Sequence, residues 1–101
     1  MALDAYLYDR NNKEISRFSW DEKMHSSMFE EIDKVYIQLK YLRKLEDYYS
    51  DSTWKGKDIQ SLADEFVRYK PYMAEDYHTA IDSIATKLSA PSIYKVTFVA
   101  D

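Results

Sequence analysis

Cysteine is absent from the 101 residues, and with it go a disulfide framework, a thiolate zinc site and a cysteine nucleophile. A chain without thiols suits a reducing compartment. One glycine and two prolines leave little material for Gly-rich phosphate loops or long irregular connections. No apolar run approaches the ~20 residues that span a bilayer. Met1-Ala2-Leu3-Asp4 carries neither the basic segment nor the apolar stretch of a signal peptide, so a cytoplasmic location is expected. An excess of positive charge is missing too: the net charge is −4 and the isoelectric point about 5.1. Phosphate neutralisation supplies most of the affinity of nucleic-acid binders, and they usually carry a basic footprint. Neither nucleic acid nor a membrane is therefore expected as a partner, whereas a basic protein is favoured.

What remains is a folded composition, 46% hydrophobic and 32% charged, of a length suited to a single domain over residues 1–101. Leu3, Ala5 and Leu7 alternate with Asp4, Tyr6 and Tyr8, a period of two that predicts a strand. Asn11 and Asn12 tolerate the left-handed backbone of a tight turn, and Ile15 to Trp20 predicts the second arm of a hairpin. Ser19 or Asp21 can cap the segment that follows. Met24, Met28, Ile32, Val35, Leu39, Leu42 and Tyr49 then recur at helical steps. The stretch 21–49 can form one long helix or two broken near Asp33-Lys34, and typical helix lengths favour two. Residues 50–58 read as a loop, with Asp58 placed for a helix N-terminus. Ile59, Leu62, Ala63, Phe66 and Tyr69 line the next helix, which Pro71 ends or from which it opens another. Met73, Tyr77, Ile81, Ile84 and Leu88 line a last helix, and Tyr94, Val96 and Phe98 alternate in a closing strand. The expected class is α+β: an N-terminal β-hairpin and a C-terminal strand in a small antiparallel sheet, packed on three to four helices.

Catalytic constellations are hard to assemble from these residues. His25 and His78 are far apart, and Glu75 with His78 supplies only one pair of potential metal ligands on a helix face. No serine has the Gly-flanked turn and base that a nucleophile needs. Glu30-Glu31 and Asp64-Glu65 are adjacent pairs that splay around a helix and read as charged surface. No cofactor is expected, and no enzymatic activity. The abundant aromatics are ten Tyr, four Phe and two Trp, types enriched in cores and at protein interfaces. Without positive charge around them they do not suit base stacking.

One stretch concentrates both features: Glu46-Asp47-Tyr48-Tyr49-Ser50-Asp51-Ser52-Thr53-Trp54. Acids at a helix C-terminus are electrostatically misplaced, which can mark a binding use. Glu46, Asp47, Tyr49, Asp51 and Trp54 are accordingly the candidate partner-binding residues, and the bland alternative is a loop anchored by Trp54 in the core. Glu75, Asp76 and Asp82 form a competing acidic patch.

The opening strand Leu3-Asp4-Ala5-Tyr6-Leu7-Tyr8-Asp9, the run Leu42-x-x-Leu45-x-x-Tyr48-Tyr49-x-Asp51, and Trp54-x-Gly56-x-x-Ile59-x-x-Leu62 resemble the small immunity proteins of bacterial polymorphic and contact-dependent growth-inhibition toxin systems. The resemblance implies a cytoplasmic inhibitor that binds a cognate toxin, a basic domain and often a nuclease, and blocks its active site. It assigns no binding residue by position. An adaptor or phage-encoded regulator is the alternative, and a minimal enzyme the third.

Overall fold

The computed structural model describes residues 2–29, 39–45 and 51–100. Strands β1 (Ala2–Tyr8) and β2 (Glu14–Asp21) form the expected hairpin. Its turn is built by Asp9, whose Oδ1 accepts the Asn11 and Lys13 amides at 2.8 and 3.0 Å, while Asn12 takes the left-handed conformation at φ 63°. An extra residue, Ile15, bulges from β2 between the Leu7 and Tyr8 pairings and stands 43% exposed. Helix α1 (Glu22–Phe29) follows directly, with the Lys23 amide donating to Asp21 Oδ1 at 3.2 Å. Ser19 instead turns its hydroxyl to Asp4.

Leu39–Leu45 is a turn leading into a short 3-10 helix at Leu42–Leu45, so a single α-helix running from 21 to 49 is not what forms. The expected break near Asp33-Lys34 lies outside the described residues. Strand β3 (Ser52–Lys55) replaces part of the loop expected over 50–58 and pairs antiparallel with β4 (Lys95–Ala100). The sheet therefore has four strands, in the order β2-β1-β4-β3, with the C-terminal strand beside the first as expected. Four residues of mixed polarity carry too short an alternation to announce a strand; the ladder with β4 makes it one.

Gly56 joins β3 to helix α2 (Lys57–Tyr69) at φ 56° and ψ −127°, a conformation that side-chain-bearing residues avoid. Pro71 sits in the first turn of the 3-10 segment Lys70–Tyr72, which ends α2. Helix α3 (His78–Leu88) returns across the same side of the sheet. The core lies between sheet and helices. Leu3, Ala5, Leu7, Trp20, Val96 and Phe98 point in from the strands; Leu62, Phe66, Ile81 and Leu88 meet them from α2 and α3. Burying large apolar side chains of this kind contributes about 1.5–3 kcal/mol each.

Candidate functional site

Two buried polar side chains hold the Leu39–Leu45 segment from opposite ends. Glu65 of α2 is 6% exposed, and its Oε1 accepts the Tyr41 and Leu42 amides at 2.9 and 2.8 Å, capping the 3-10 helix. His25 of α1 lies 2.6 Å, through Nε2, from the Leu45 carbonyl and packs its ring against Trp20 and Phe29. The reading of Asp64-Glu65 as paired surface charge is thus half right. Asp64 faces solvent and accepts from Gln60, but Glu65 is turned inward to the cap. His78 Nε2 lies 3.1 Å from the Met73 carbonyl, and among the described residues no group of three or more acids or histidines is placed to hold a metal ion. Val67, Ala85, Thr86, Ser89 and Ala90 line a shallow groove of about 510 Å³ between α2 and α3, with only two hydroxyls to orient a ligand.

Of the proposed partner-binding residues, Glu46, Asp47 and Tyr49 lie outside the described residues. Asp51 is exposed at the end of β3, where its Oδ1 accepts the Ala100 amide at 2.8 Å. Trp54 is 5% exposed: strand alternation turns it inward beside Val96, and its Nε1 donates to Ser52 Oγ at 3.1 Å. It anchors β3 to the core and offers no exposed ring to a partner. Asp82 of the competing patch is tied to Lys70, whose Nζ lies 2.9 Å from both carboxylate oxygens, while Glu75 and Asp76 stay exposed.

The surface with the most organised chemistry is the sheet face turned away from the helices. No described helix packs on it. The register arranges its outward residues in three rows. Nearest the hairpin turn stand Glu14, Tyr8, Lys95 and Lys55. Arg17, Tyr6, Thr97 and Thr53 cross the middle. Ser19, Asp4 and Val99 make the third row, which Asp51 extends beside Ala100.

No protein-family model matches the chain, and neither a curated protein nor a solved structure is similar to it.

Charge is graded along this face. At the hairpin end Lys95 Nζ lies 4.4 Å from the Tyr8 ring centre and also donates to Asn12 Oδ1. Arg10 sits over Tyr94 at 5.6 Å and Arg17 over Tyr6 at 5.2 Å, both within cation–π range. Glu14 hydrogen-bonds Arg17 at 2.8 Å, and that contact raises the guanidinium pKa further above its ordinary value. The expectation that the aromatics lack neighbouring cations is therefore corrected at this surface: strand pairing brings Arg17 to Tyr6 and Lys95 to Tyr8. At the other end Asp4 and Asp51 are carboxylates, and Asp4 accepts the Ser19 hydroxyl at 2.7 Å. Sequence reasoning missed this surface because no local stretch contains it. The outward positions of β1, β2 and β4 were legible one strand at a time, but their alignment into rows was not.

Proposed function

We propose that this chain is a cytoplasmic, non-catalytic inhibitor of the immunity type, which binds a basic toxin domain and blocks its active site. The observation that carries the binding part is the sheet face on which no described helix packs, where Tyr6 and Tyr8 stand among charged side chains. Tyrosine presents a rigid ring with a polar tip and is a favoured interface residue. The toxin part draws on the resemblance to immunity proteins and on the acidic end of the face. Asp4 and Asp51 offer carboxylates to a cleft built to hold phosphate, and Glu46, Asp47 and Tyr49 precede Asp51 in the chain. An RNase-type nuclease has such a cleft. Among the described residues no helix is long and apolar enough to cross a membrane.

The test is co-expression with the product of the neighbouring gene, which this reading expects to be a basic toxin domain, followed by pull-down and titration calorimetry. Reversing Asp4 and Asp51 to Lys is expected to weaken binding by about thirtyfold or more, the effect of losing an interface hot spot. Association should slow as salt rises, because screening shortens the reach of opposite charges from ~10 Å at 0.1 M to ~3 Å at 1 M. Unchanged affinity in the reversed variant would remove the acidic row from the interface. Turnover of RNA by the purified chain alone would sink the non-catalytic reading.

A further inference from the structure

We propose that Lys87 guards the long edge of the sheet: its ammonium keeps the β2 strand of a second copy from adding to β2. The proposal needs only the strand order and one contact, not the toxin reading, and it is tested on the pure protein.

In the order β2-β1-β4-β3 the outermost strands are β2, of eight residues, and β3, of four. Among the described residues no strand pairs with the outer side of either. Bonded and non-bonded pairs alternate along an antiparallel ladder, so every second residue of an edge strand turns its amide and carbonyl away from the sheet. Such a row is a template for another chain, and a second copy always brings the identical strand. A very short edge strand offers little to pair with, which leaves β2 as the edge that needs protection.

The pairing surface of β2 is bounded at both ends. The bulge at Ile15 breaks its ladder near the hairpin turn, and at the other end Asp21 accepts the Lys23 amide where α1 begins. Residues 16–21 lie between, and there Lys87 Nζ donates to the Arg17 carbonyl at 3.1 Å. Arg17 belongs to the outward set. The Asp9 amide bonds the Lys13 carbonyl at the turn, and counting from that pair along the register and through the bulge puts Arg17 and Ser19 at non-bonded positions opposite β1. A strand laid along β2 needs the carbonyl that Lys87 holds, and it would bury the ammonium beside it. Taking an unpaired charge out of water costs far more than one strand hydrogen bond returns.

Lys87 is 70 residues from Arg17 in the chain and stands in the last turn of α3, so the fold and not the local sequence brings it to the edge. A cation in that turn suits the negative end of the helix dipole. The dipole accounts for the charge, but not for its aim at a β2 carbonyl. The contact itself is exposed and adds little to stability, so removing the ammonium should alter association far more than folding.

Sedimentation velocity from about 1 μM to about 1 mM compares the wild type with Lys87→Met, which keeps the apolar stem and removes the ammonium. The variant is expected to associate where the wild type is monomeric, with a Kd lower by about tenfold or more. Amide hydrogen exchange should show new protection at Arg17 and Ser19 in the associated variant. Lys87→Arg keeps a cation within reach and should stay monomeric. Circular dichroism checks each fold, and should Lys87→Met misfold, Lys87→Gln is read in the same way. A neutral variant as monomeric as the wild type overturns the proposal, as does a wild type that associates equally tightly. Association without protection at Arg17 and Ser19, or a Lys87→Arg chain that associates like Lys87→Met, overturns it too.

Discussion

Leu7 and Tyr8 are neighbours on β1 and point to opposite sides of the sheet. Leu7 is completely buried, its row filled across the strands by Val96 and Trp54. Tyr8 is half-buried, its row filled by Glu14, Lys95 and Lys55. The same four strands thus present a face whose residues are chosen by packing and a face whose residues are chosen by charge and shape. On the inner face an exchange of side chains alters volume in a dense interior. On the outer face it alters what the molecule can meet.

The sharpest way to break this comparison is to truncate the two faces of one strand. Phe98 on β4 is fully buried against Phe18 and Trp20, at ring-centre distances of 6.0 and 6.4 Å. Phe98→Ala is expected to cost about 3–5 kcal/mol, a large part of the stability of so small a domain. Thr97→Ala, one residue away and facing outward, should stay within about 0.5 kcal/mol. Urea unfolding followed by circular dichroism measures both. If the two variants lost stability equally, the outer face would be structural after all.

Glu65 sharpens the comparison from the helical side, since it is a charge on the buried side of the molecule. Glu65→Ala leaves the Tyr41 and Leu42 amides without their acceptor and should cost about 1.5–3 kcal/mol. Glu65→Gln keeps an acceptor oxygen and should lose less. Equal losses in the two variants would mean that the ionic character of the cap, not the hydrogen bond alone, holds the segment.

These buried positions also mark where the fold was legible in the sequence. Leu3, Ala5 and Leu7 alternate cleanly, as do Val96 and Phe98, and the helical steps of Ile59, Leu62, Phe66 and of Ile81, Ile84, Leu88 are regular. Period-two and period-3.6 patterns are local, and local patterns can be read. Strand β3 has one buried residue in four and owes its form to β4, some forty residues on. Glu65 follows Asp64, and nothing in that pair says which carboxylate turns inward. The outer rows escape for the same reason. Glu14, Tyr8, Lys95 and Lys55 come from four separate places, and only the register sets them side by side.

The hairpin turn lies at the edge between the faces, so its loss should be intermediate. Asp9→Ala removes the acceptor of the Asn11 and Lys13 amides and is expected to cost about 1 kcal/mol. Asp9→Asn retains an acceptor oxygen and should recover most of it. Amide hydrogen exchange at Asn11 and Lys13 reports the local effect directly. Unchanged protection in Asp9→Ala would show that backbone bonds between Asp9 and Lys13 suffice to close the turn.

The smallest effect is expected on the helical side, at Asp82. Its carboxylate is half exposed and accepts from Lys70 at 2.9 Å, so the pair gains little in high dielectric and is screened by salt. Asp82→Asn should move stability by less than about 1 kcal/mol. The same variant discriminates between surfaces. Lys70 already neutralises much of the Asp82 charge, whereas no cation hydrogen-bonds Asp4 or Asp51 among the described residues. Partner binding that tolerates Asp82→Asn and fails on reversal of Asp4 and Asp51 places the working surface on the open sheet. The opposite pattern would move it to the helices.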